Sequence, residues 1–154
     1  MLSHFYTEKL TTTFNLTPLH IKIIMHDLSP TELGATQFHQ EGIKNGKFLI
    51  QKCSSCENFQ FFPRSFCITC SSDSLDWIAA SGNGVVYSTT TVRRKAEIGG
   101  DFNVSLIDLD EGVRVMGNVV DVDPSEVFIG LKVRLEIIQE NGQGKVQFKS
   151  GTTK

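Results

Sequence analysis

Four cysteines, arranged as two closely spaced pairs, place the strongest constraint on how this chain can fold. Cys53 and Cys56 form one Cys-x-x-Cys pair, Cys67 and Cys70 form the other, and ten residues separate the two pairs. One tight turn can direct two sulfurs at one ion, and two facing turns supply four thiolates in a tetrahedron, the geometry that zinc prefers. The spacing therefore predicts a four-cysteine metal site with a short ribbon between two knuckles.

Two disulfides or four free thiols would use the same cysteines. Disulfides need an oxidising compartment, and residues 1–24 lack the basic start, apolar centre and small-residue cleavage site of a secretion signal. We therefore expect a cytoplasmic chain that binds a metal. Four thiolates fill the coordination sphere, so we expect a structural site rather than a catalytic one. Iron in a rubredoxin-like site would use the same ligands, so the sequence leaves zinc and iron open.

The segments around the cysteines predict four regions. Residues 1–28 form a poorly patterned lead-in. Residues 29–46 read as a helix, because Ser29-Pro30-Thr31-Glu32 has the composition of a helix start and Asn45-Gly46 ends the pattern. Residues 47–78 hold the metal ribbon.

Residues 79–154 change to the period of β-strands. Five main strands follow from Val85 onward, with turns at Asp110-Glu111-Gly112 and Asn141-Gly142, which is the rhythm of a small OB-type barrel. The predicted fold is mainly β: an N-terminal helix, a rubredoxin-like zinc ribbon, then a five-stranded OB-fold barrel. A generic five-stranded barrel or an SH3-like roll is the alternative. The apolar runs are far shorter than the roughly 20 residues that cross a bilayer, so we expect no membrane span.

The remaining side chains indicate no catalytic centre within the chain. Nucleophilic catalysis needs a nucleophile beside a base, but all four cysteines are expected to bind metal and all four histidines precede the ribbon. The acidic cluster at 108–111 surrounds a predicted turn, where carboxylates are usually solvated. No glycine-rich phosphate loop is present.

With ribbon and barrel both placed, the chain resembles the acyl-CoA-associated zinc-ribbon/OB-fold proteins, a family long known only as a domain of unknown function. The resemblance covers roughly residues 35–150. It departs from the family at His39, where a Trp is frequent, at Glu57, where Gly is frequent, at Ile68, where Pro is frequent, and in the loop 96–101. The segments that carry it are 37–42, 46–56, 62–64, 67–70, Trp77 with 81–88, 109–114 and 129–133.

The resemblance implies a non-catalytic accessory subunit with a structural zinc. Such proteins act beside thiolase-like or lipid-transfer-type enzymes in acyl-CoA thiolase, acyltransferase or aldolase complexes of lipid metabolism. The partner enzyme supplies the catalytic residues, and the small protein helps to form the site for CoA or acyl-CoA.

Candidate contacts follow from chemistry that suits CoA phosphates and subunit interfaces. The one basic run, Arg93-Arg94-Lys95, could contact phosphates or could be a solvated loop face. Arg64 and Arg114 are further candidates for CoA or partner contact. Three ribbon aromatics exceed what a small ribbon needs for its own core, so we expect some of them to face a partner subunit: Phe59, Phe61 and Phe62.

A single-stranded nucleic-acid-binding module is the competing interpretation, because OB barrels and zinc ribbons both recur in such proteins. The formal charge of -2 argues against it, since proteins that contact phosphate backbones usually carry a basic excess. The second and third β runs also lack an evident stripe of aromatic and basic residues. An iron-bearing electron carrier is a third, weaker interpretation.

Overall fold

A computed structural model describes residues 33–151. The predicted lead-in 1–28 and the predicted helix start at Ser29-Pro30 lie outside the described residues. Within them, the α-helix α1 (Ala35–Lys44) is followed by a small ribbon sheet and a larger sheet, and a short 3-10 helix (Ala96–Ile98) lies between two strands of the larger sheet. The strands are β1 (Leu49–Cys53), β2 (Phe59–Gln60), β3 (Leu75–Ala79), β4 (Asn83–Val92), β5 (Phe102–Leu109), β6 (Arg114–Gly117), β7 (Lys132–Glu140) and β8 (Gln143–Ser150).

The ribbon is a three-stranded antiparallel sheet of order β2-β1-β3. Its central strand β1 ends at the first metal-site cysteine, where Cys53 pairs with Leu75 of β3. Helix α1 ends at Lys44, immediately before Asn45 and Gly46, and Gly46 has the positive φ of 74° that favours glycine. The chain then enters β1 directly, which brings the helix and the ribbon together.

The larger sheet has five antiparallel strands in the order β6-β5-β4-β7-β8. The long strand β4 pairs with β5 along its length and with β7 at its start, and the pairing with β5 shifts by one residue between Val86 and Ser88. A parallel bridge between Val119 and Phe148 then brings the chain after β6 beside β8. The sheet is therefore an almost closed barrel, and the predicted mainly β fold with ribbon and OB-type barrel is confirmed.

The ribbon and the barrel share one hydrophobic core. Phe48 and Ile50, at the start of the ribbon, belong to the same buried cluster as Val86, Ile107 and Phe148 of the barrel. Because fully burying such side chains contributes about 1.5–3 kcal/mol each, the two modules stabilise one another. No helix among residues 33–151 is long and apolar enough to span a bilayer.

Candidate functional site

The four cysteine sulfurs converge on one point of the ribbon. The end of β1 supplies Cys53, the following turn supplies Cys56, and the second turn supplies Cys67 and Cys70. All four sulfurs lie within 4.8 Å of one another, with Sγ–Sγ distances of 3.6 Å for both Cys53–Cys70 and Cys56–Cys67. A tetrahedron with zinc–sulfur bonds of about 2.3 Å has edges of roughly 3.8 Å. The donor set and its spacing therefore fit a zinc ion held by protein alone.

The two knuckles repeat the same backbone pattern. The N–H of Glu57 donates to Cys53 O at 2.8 Å, and the N–H of Ser71 donates to Cys67 O at 2.9 Å. Glu57 and Ser71 have the same left-handed conformation, with φ of 60° and 61°. This conformation costs a residue with a Cβ about 1 kcal/mol, so glycine would carry less strain at either position.

Backbone amides also prepare the sulfurs for a cation. The N–H groups of Cys70 and Thr69 point at the Cys67 sulfur and lower the pKa of that thiol to about 6. The N–H of Ser72 lowers the pKa of Cys70, but the Cys56 thiol and burial oppose it, and the net effect raises that pKa to about 12. Crowded thiols of this kind cannot all ionise alone, and a divalent cation among them favours four thiolates.

Two buried glutamines hold the second knuckle in place. The Gln51 side chain accepts a hydrogen bond from Arg64 N at 2.8 Å and donates to Arg64 O at 2.9 Å. The Gln60 amide donates to Gln51 Oε1 at 2.9 Å and accepts from Ile68 N at 3.0 Å. The sequence analysis missed this network. The feature that could have indicated it is the presence of a glutamine on each of the two short strands beside the first cysteine pair.

His39 lies in an aromatic cluster instead of a reactive site. Its ring contacts Phe48 and Phe61, with centroids 5.0 and 5.3 Å away. Only 8% of the residue is exposed. The ring Nδ1–H donates to Leu49 O at 2.7 Å in the tautomer that this contact requires. Burial lowers the pKa of His39, although the hydrogen bond to Leu49 opposes the shift.

His39 makes stability fall in mild acid. Because its pKa is lower in the folded chain, the unfolded chain binds the extra proton below its ordinary pKa of about 6.5. We expect this residue to contribute about 1 kcal/mol less to the free energy of unfolding at pH 5.5 than at pH 7.5. Urea unfolding of wild type and His39→Phe at both pH values measures this difference, because protonation of the cysteines contributes equally to both proteins. Equal pH dependence in the two proteins contradicts the prediction.

The three predicted partner-facing aromatics separate into two groups. Phe59 and Phe61 are half-buried and pack against the core. Phe62 is 64% exposed, and the structure adds Phe66 and Ile68, which are 60% and 66% exposed. The exposed apolar part of the ribbon is thus the second knuckle and the segment before it.

The predicted basic contacts lie in separate places. Arg114, on β6, makes two hydrogen bonds to Asp108, at 2.6 and 2.9 Å, and its guanidinium carbon lies 3.3 Å from the Tyr87 ring centroid. Arg93 pairs with Asp101 at 2.5 Å. These pairs lie at opposite ends of β5, so the five basic residues do not form one site.

Three of the five basic side chains have no carboxylate partner among residues 33–151. Lys95 is exposed, and the guanidinium carbon of Arg94 lies 5.3 Å from the Phe102 ring centroid. Arg64 lines a cavity of about 400 Å³ together with Trp77 and Leu75. Phe38 of α1 packs on Trp77 with ring centroids 5.0 Å apart, so the helix supports one wall of this cavity.

Comparisons with known proteins match both modules. Residues 40–76 match the family described as "ChsH2, rubredoxin-like zinc ribbon domain", and residues 77–137 match "ChsH2, C-terminal OB-fold domain". A DUF35 domain-containing scaffold protein of Methanocaldococcus jannaschii is 31% identical over 62% of this chain and 72% of its own length. A probable enoyl-CoA hydratase alpha subunit of Thermomonospora curvata is 30% identical over 66% of this chain. This chain spans about a third of that subunit, 33% of its length.

A solved structure titled "Ltp2-ChsH2(DUF35) aldolase" matches with a TM-score of 0.70 and 26% identity, over 77% of this chain and 96% of the matched chain. A rubredoxin-like ribbon that shares its core with an OB-type barrel defines the class: a two-module zinc-ribbon/OB-fold protein. Within that class, the family is shown by the match to the archaeal scaffold protein, which is 31% identical over 72% of its own length. The chain belongs to the DUF35 family, and the resemblance seen in the sequence is confirmed.

Proposed function

We propose that this chain is a non-catalytic accessory subunit that binds an acyl-CoA enzyme of the thiolase-like or lipid-transfer type and helps to form its CoA site. The observation that carries the proposal is the match of 77% of this chain to 96% of a chain in the structure titled "Ltp2-ChsH2(DUF35) aldolase". The match to a probable enoyl-CoA hydratase alpha subunit supports the broader part of the proposal, a place in an acyl-CoA enzyme complex.

The chemistry of the described residues is consistent with such a role. The four cysteines form one cluster with the spacing of a zinc site, and we propose that a zinc ion bound there is structural. The one histidine among residues 33–151, His39, is buried in an aromatic cluster. The reactive groups are therefore expected on the partner enzyme.

Arg64 is the basic residue best placed to contact CoA. Arg64, the carboxylate residue Asp73 and the apolar residues Trp77 and Leu75 line a cavity of about 400 Å³. The Arg64 side chain has no carboxylate partner within 4.0 Å in the described part of the chain. A phosphate suits the guanidinium, and the apolar wall suits a neighbouring uncharged group of the same ligand. This volume holds part of a CoA molecule, so the partner enzyme would complete the site. Arg93 and Arg114 are less available because carboxylates already bind them.

Capture of the tagged full-length chain from its native host tests the proposed role. We expect a stoichiometric complex with an enzyme that acts on acyl-CoA thioesters, identified by mass spectrometry, and CoA binding that is stronger in the complex than in the isolated chain. A complex without such an enzyme, or a salt-dependent shift of a single-stranded oligonucleotide by the isolated chain, would overturn the proposal.

Replacing Arg64 tests the CoA contact. We expect Arg64→Gln to weaken CoA binding by the complex about tenfold, because a charge-assisted contact to phosphate is lost. Arg93→Gln is the matched control, since that guanidinium is already bound to Asp101, and it should change CoA affinity less than twofold. Isothermal titration with CoA measures both variants. Equal losses in both variants, or no loss in Arg64→Gln, contradict the assignment.

A further inference from the structure

The first half of β5 has its polar and apolar residues on unexpected faces. Asn103 and Ser105 point into the barrel and are 1% and 0% exposed, whereas Val104 and Leu106 point outward and are half-exposed. An antiparallel sheet with one solvated face normally places apolar residues inside and polar residues outside. This segment reverses that order.

The inward polar residues are fully hydrogen-bonded, so the reversal is a stable feature of the barrel. The Asn103 amide donates to Val119 O at 2.6 Å and accepts from Val119 N at 2.9 Å. The Ser105 hydroxyl lies 2.9 Å from Thr89 Oγ1 and 3.1 Å from Asn103 Oδ1. These bonds hold the chain after β6 against β5, where the barrel closes.

The outward residues form an apolar band, here called the outer β5 stripe. Leu106 of β5 lies directly opposite Met116 of β6, and Met116 is 63% exposed. No member of the stripe belongs to the hydrophobic core or packs against it. The stripe consists of Phe102, Val104, Leu106 and Met116. Met116 is exposed and the three β5 residues are half-buried. Apolar side chains that lie outside the core in this way mark candidate interaction sites.

The charges around the stripe indicate what covers it. At its Phe102 end, the side chains of Arg94 and Lys95 are exposed and have no carboxylate partner among residues 33–151. The neighbouring carboxylate of Asp101 is already bound by Arg93 and by the backbone N–H of Arg94. At its other end, Asp108 is already paired with Arg114. If two copies of the chain paired their stripes about a two-fold axis, the Asp108 end of one copy would face the Arg94 and Lys95 of the other. Asp108 is already bound to Arg114 of its own chain, so it is not free to pair with them. The complementary surface is therefore a different protein, apolar at its centre and carboxylate-rich at one border.

We propose that the outer β5 stripe is the surface on which the acyl-CoA enzyme subunit docks, through an apolar patch bordered by carboxylates that face Arg94 and Lys95. This inference rests on the proposed function and adds the docking surface and its chemistry. Single-stranded nucleic acid fits the stripe less well. Guanidinium groups already lie over Phe102 and the neighbouring Tyr87, so each ring has one face occupied.

A double variant tests the docking surface with the enzyme subunit captured by the wild-type chain as the probe. We expect Leu106→Lys with Met116→Lys to weaken that complex at least about 100-fold, because two central apolar contacts become buried charges. Ile129→Lys is the matched control, since Ile129 is 69% exposed and lies outside the stripe; it should bind within about threefold of wild type. Wild-type affinity in the double variant, or an equal loss in the control, overturns the docking surface.

Oxidation of Met116 tests the same surface without a substitution. Peptide mass spectrometry after peroxide treatment should show Met116 reacting rapidly in the free full-length chain and at least about tenfold more slowly in the complex. Unchanged oxidation in the complex overturns the docking surface while leaving the proposed function intact. Failure of the wild-type chain to capture any acyl-CoA enzyme defeats the proposed function itself. Concentration-dependent protection in the free chain would assign the stripe to a second copy instead.

Discussion

Cys53→Ser should abolish stoichiometric metal binding and cooperative folding of the ribbon. The Cys53 sulfur lies 3.6 Å from that of Cys70, and the residue is fully buried at the end of β1. A structural zinc contributes apparent binding free energy of about 10–16 kcal/mol in small domains, and this energy is available only to the folded chain. A hydroxyl is a poor substitute for a thiolate, so the free energy of unfolding should fall by well over about 3 kcal/mol.

The loss should extend beyond the ribbon. The same strand and the residue before it supply Ile50 and Phe48 to the core that the barrel shares. Metal analysis of purified protein and thermal unfolding by circular dichroism measure the two effects together. Ser55→Ala in the same knuckle is the control, since the Ser55 side chain is exposed, its one hydrogen bond among residues 33–151 is to the Ser72 hydroxyl, and the substitution keeps the backbone N–H. A Cys53→Ser protein with a full equivalent of zinc and an unchanged melting temperature contradicts the structural role.

The sequence predicted those features that a short motif or a regular period encodes. Two Cys-x-x-Cys pairs favour two turns that face one ion, and Asn45-Gly46 favours a helix end close to where α1 stops, at Lys44. The strand-like segments from Val85 onward predict the barrel strands. Each of these signals lies within a few residues, so no knowledge of distant contacts was needed.

Other features depend on distant partners and could not be predicted in the same way. Whether Phe59 and Phe61 face a partner or the core depends on how the ribbon packs against α1 and the barrel. The sequence does not show which face of β5 is buried, because both faces contain apolar residues. The hydrogen bonds between Asn103 and Val119 form on the inner face of the strand. The closure of the barrel decides that point, and closure joins residues far apart in the chain.

The departures from the family pattern have local physical explanations. Glu57 occupies a left-handed position, with φ of 60°, where Gly carries no steric cost. His39 packs among aromatic rings, where the family frequently has another aromatic residue, and it satisfies its one N–H through Leu49 O. Glu57 and His39 are both accommodated in the ribbon fold, the first with a steric cost and the second with its ring hydrogen-bonded to Leu49 O.

Gly144→Ala should separate α1 from the barrel and lower the free energy of unfolding by about 3 kcal/mol. A Cβ at this position of β8 would lie 2.6 Å from Ile43 O and 2.6 Å from Ile43 Cγ2. The carbonyl belongs to the helix backbone, so the clash is relieved only if the whole helix moves. The contact that Gln139 Nε2 makes with Lys44 O, at 3.0 Å, would be lost in the same movement.

Gly42→Ala provides a matched comparison, because its closest contacts would be with the side chain of Leu49, Cδ1 at 2.7 Å and Cγ at 2.8 Å, and its nearest backbone contact, with Lys47 O, would be longer, at 3.1 Å. That side chain can move, and alanine is favoured over glycine by about 1 kcal/mol inside a helix, so we expect a change smaller than about 1 kcal/mol. Urea unfolding gives both free energies, and hydrogen exchange across Ala35–Lys44 reports whether the helix has left the barrel. Similar stabilities for the two variants would show that the helix position tolerates a shift.

The same substitution links helix docking to the proposed CoA contact. Helix α1 presents Phe38 to Trp77, and Ala35 and Trp77 line the cavity that contains Arg64. Displacing the helix therefore removes part of the wall beside that guanidinium without changing the guanidinium itself. We expect Gly144→Ala to weaken CoA binding by the complex at temperatures where the chain remains folded, and Gly42→Ala to retain it. Full CoA affinity in a folded Gly144→Ala protein would place the CoA contact away from this cavity.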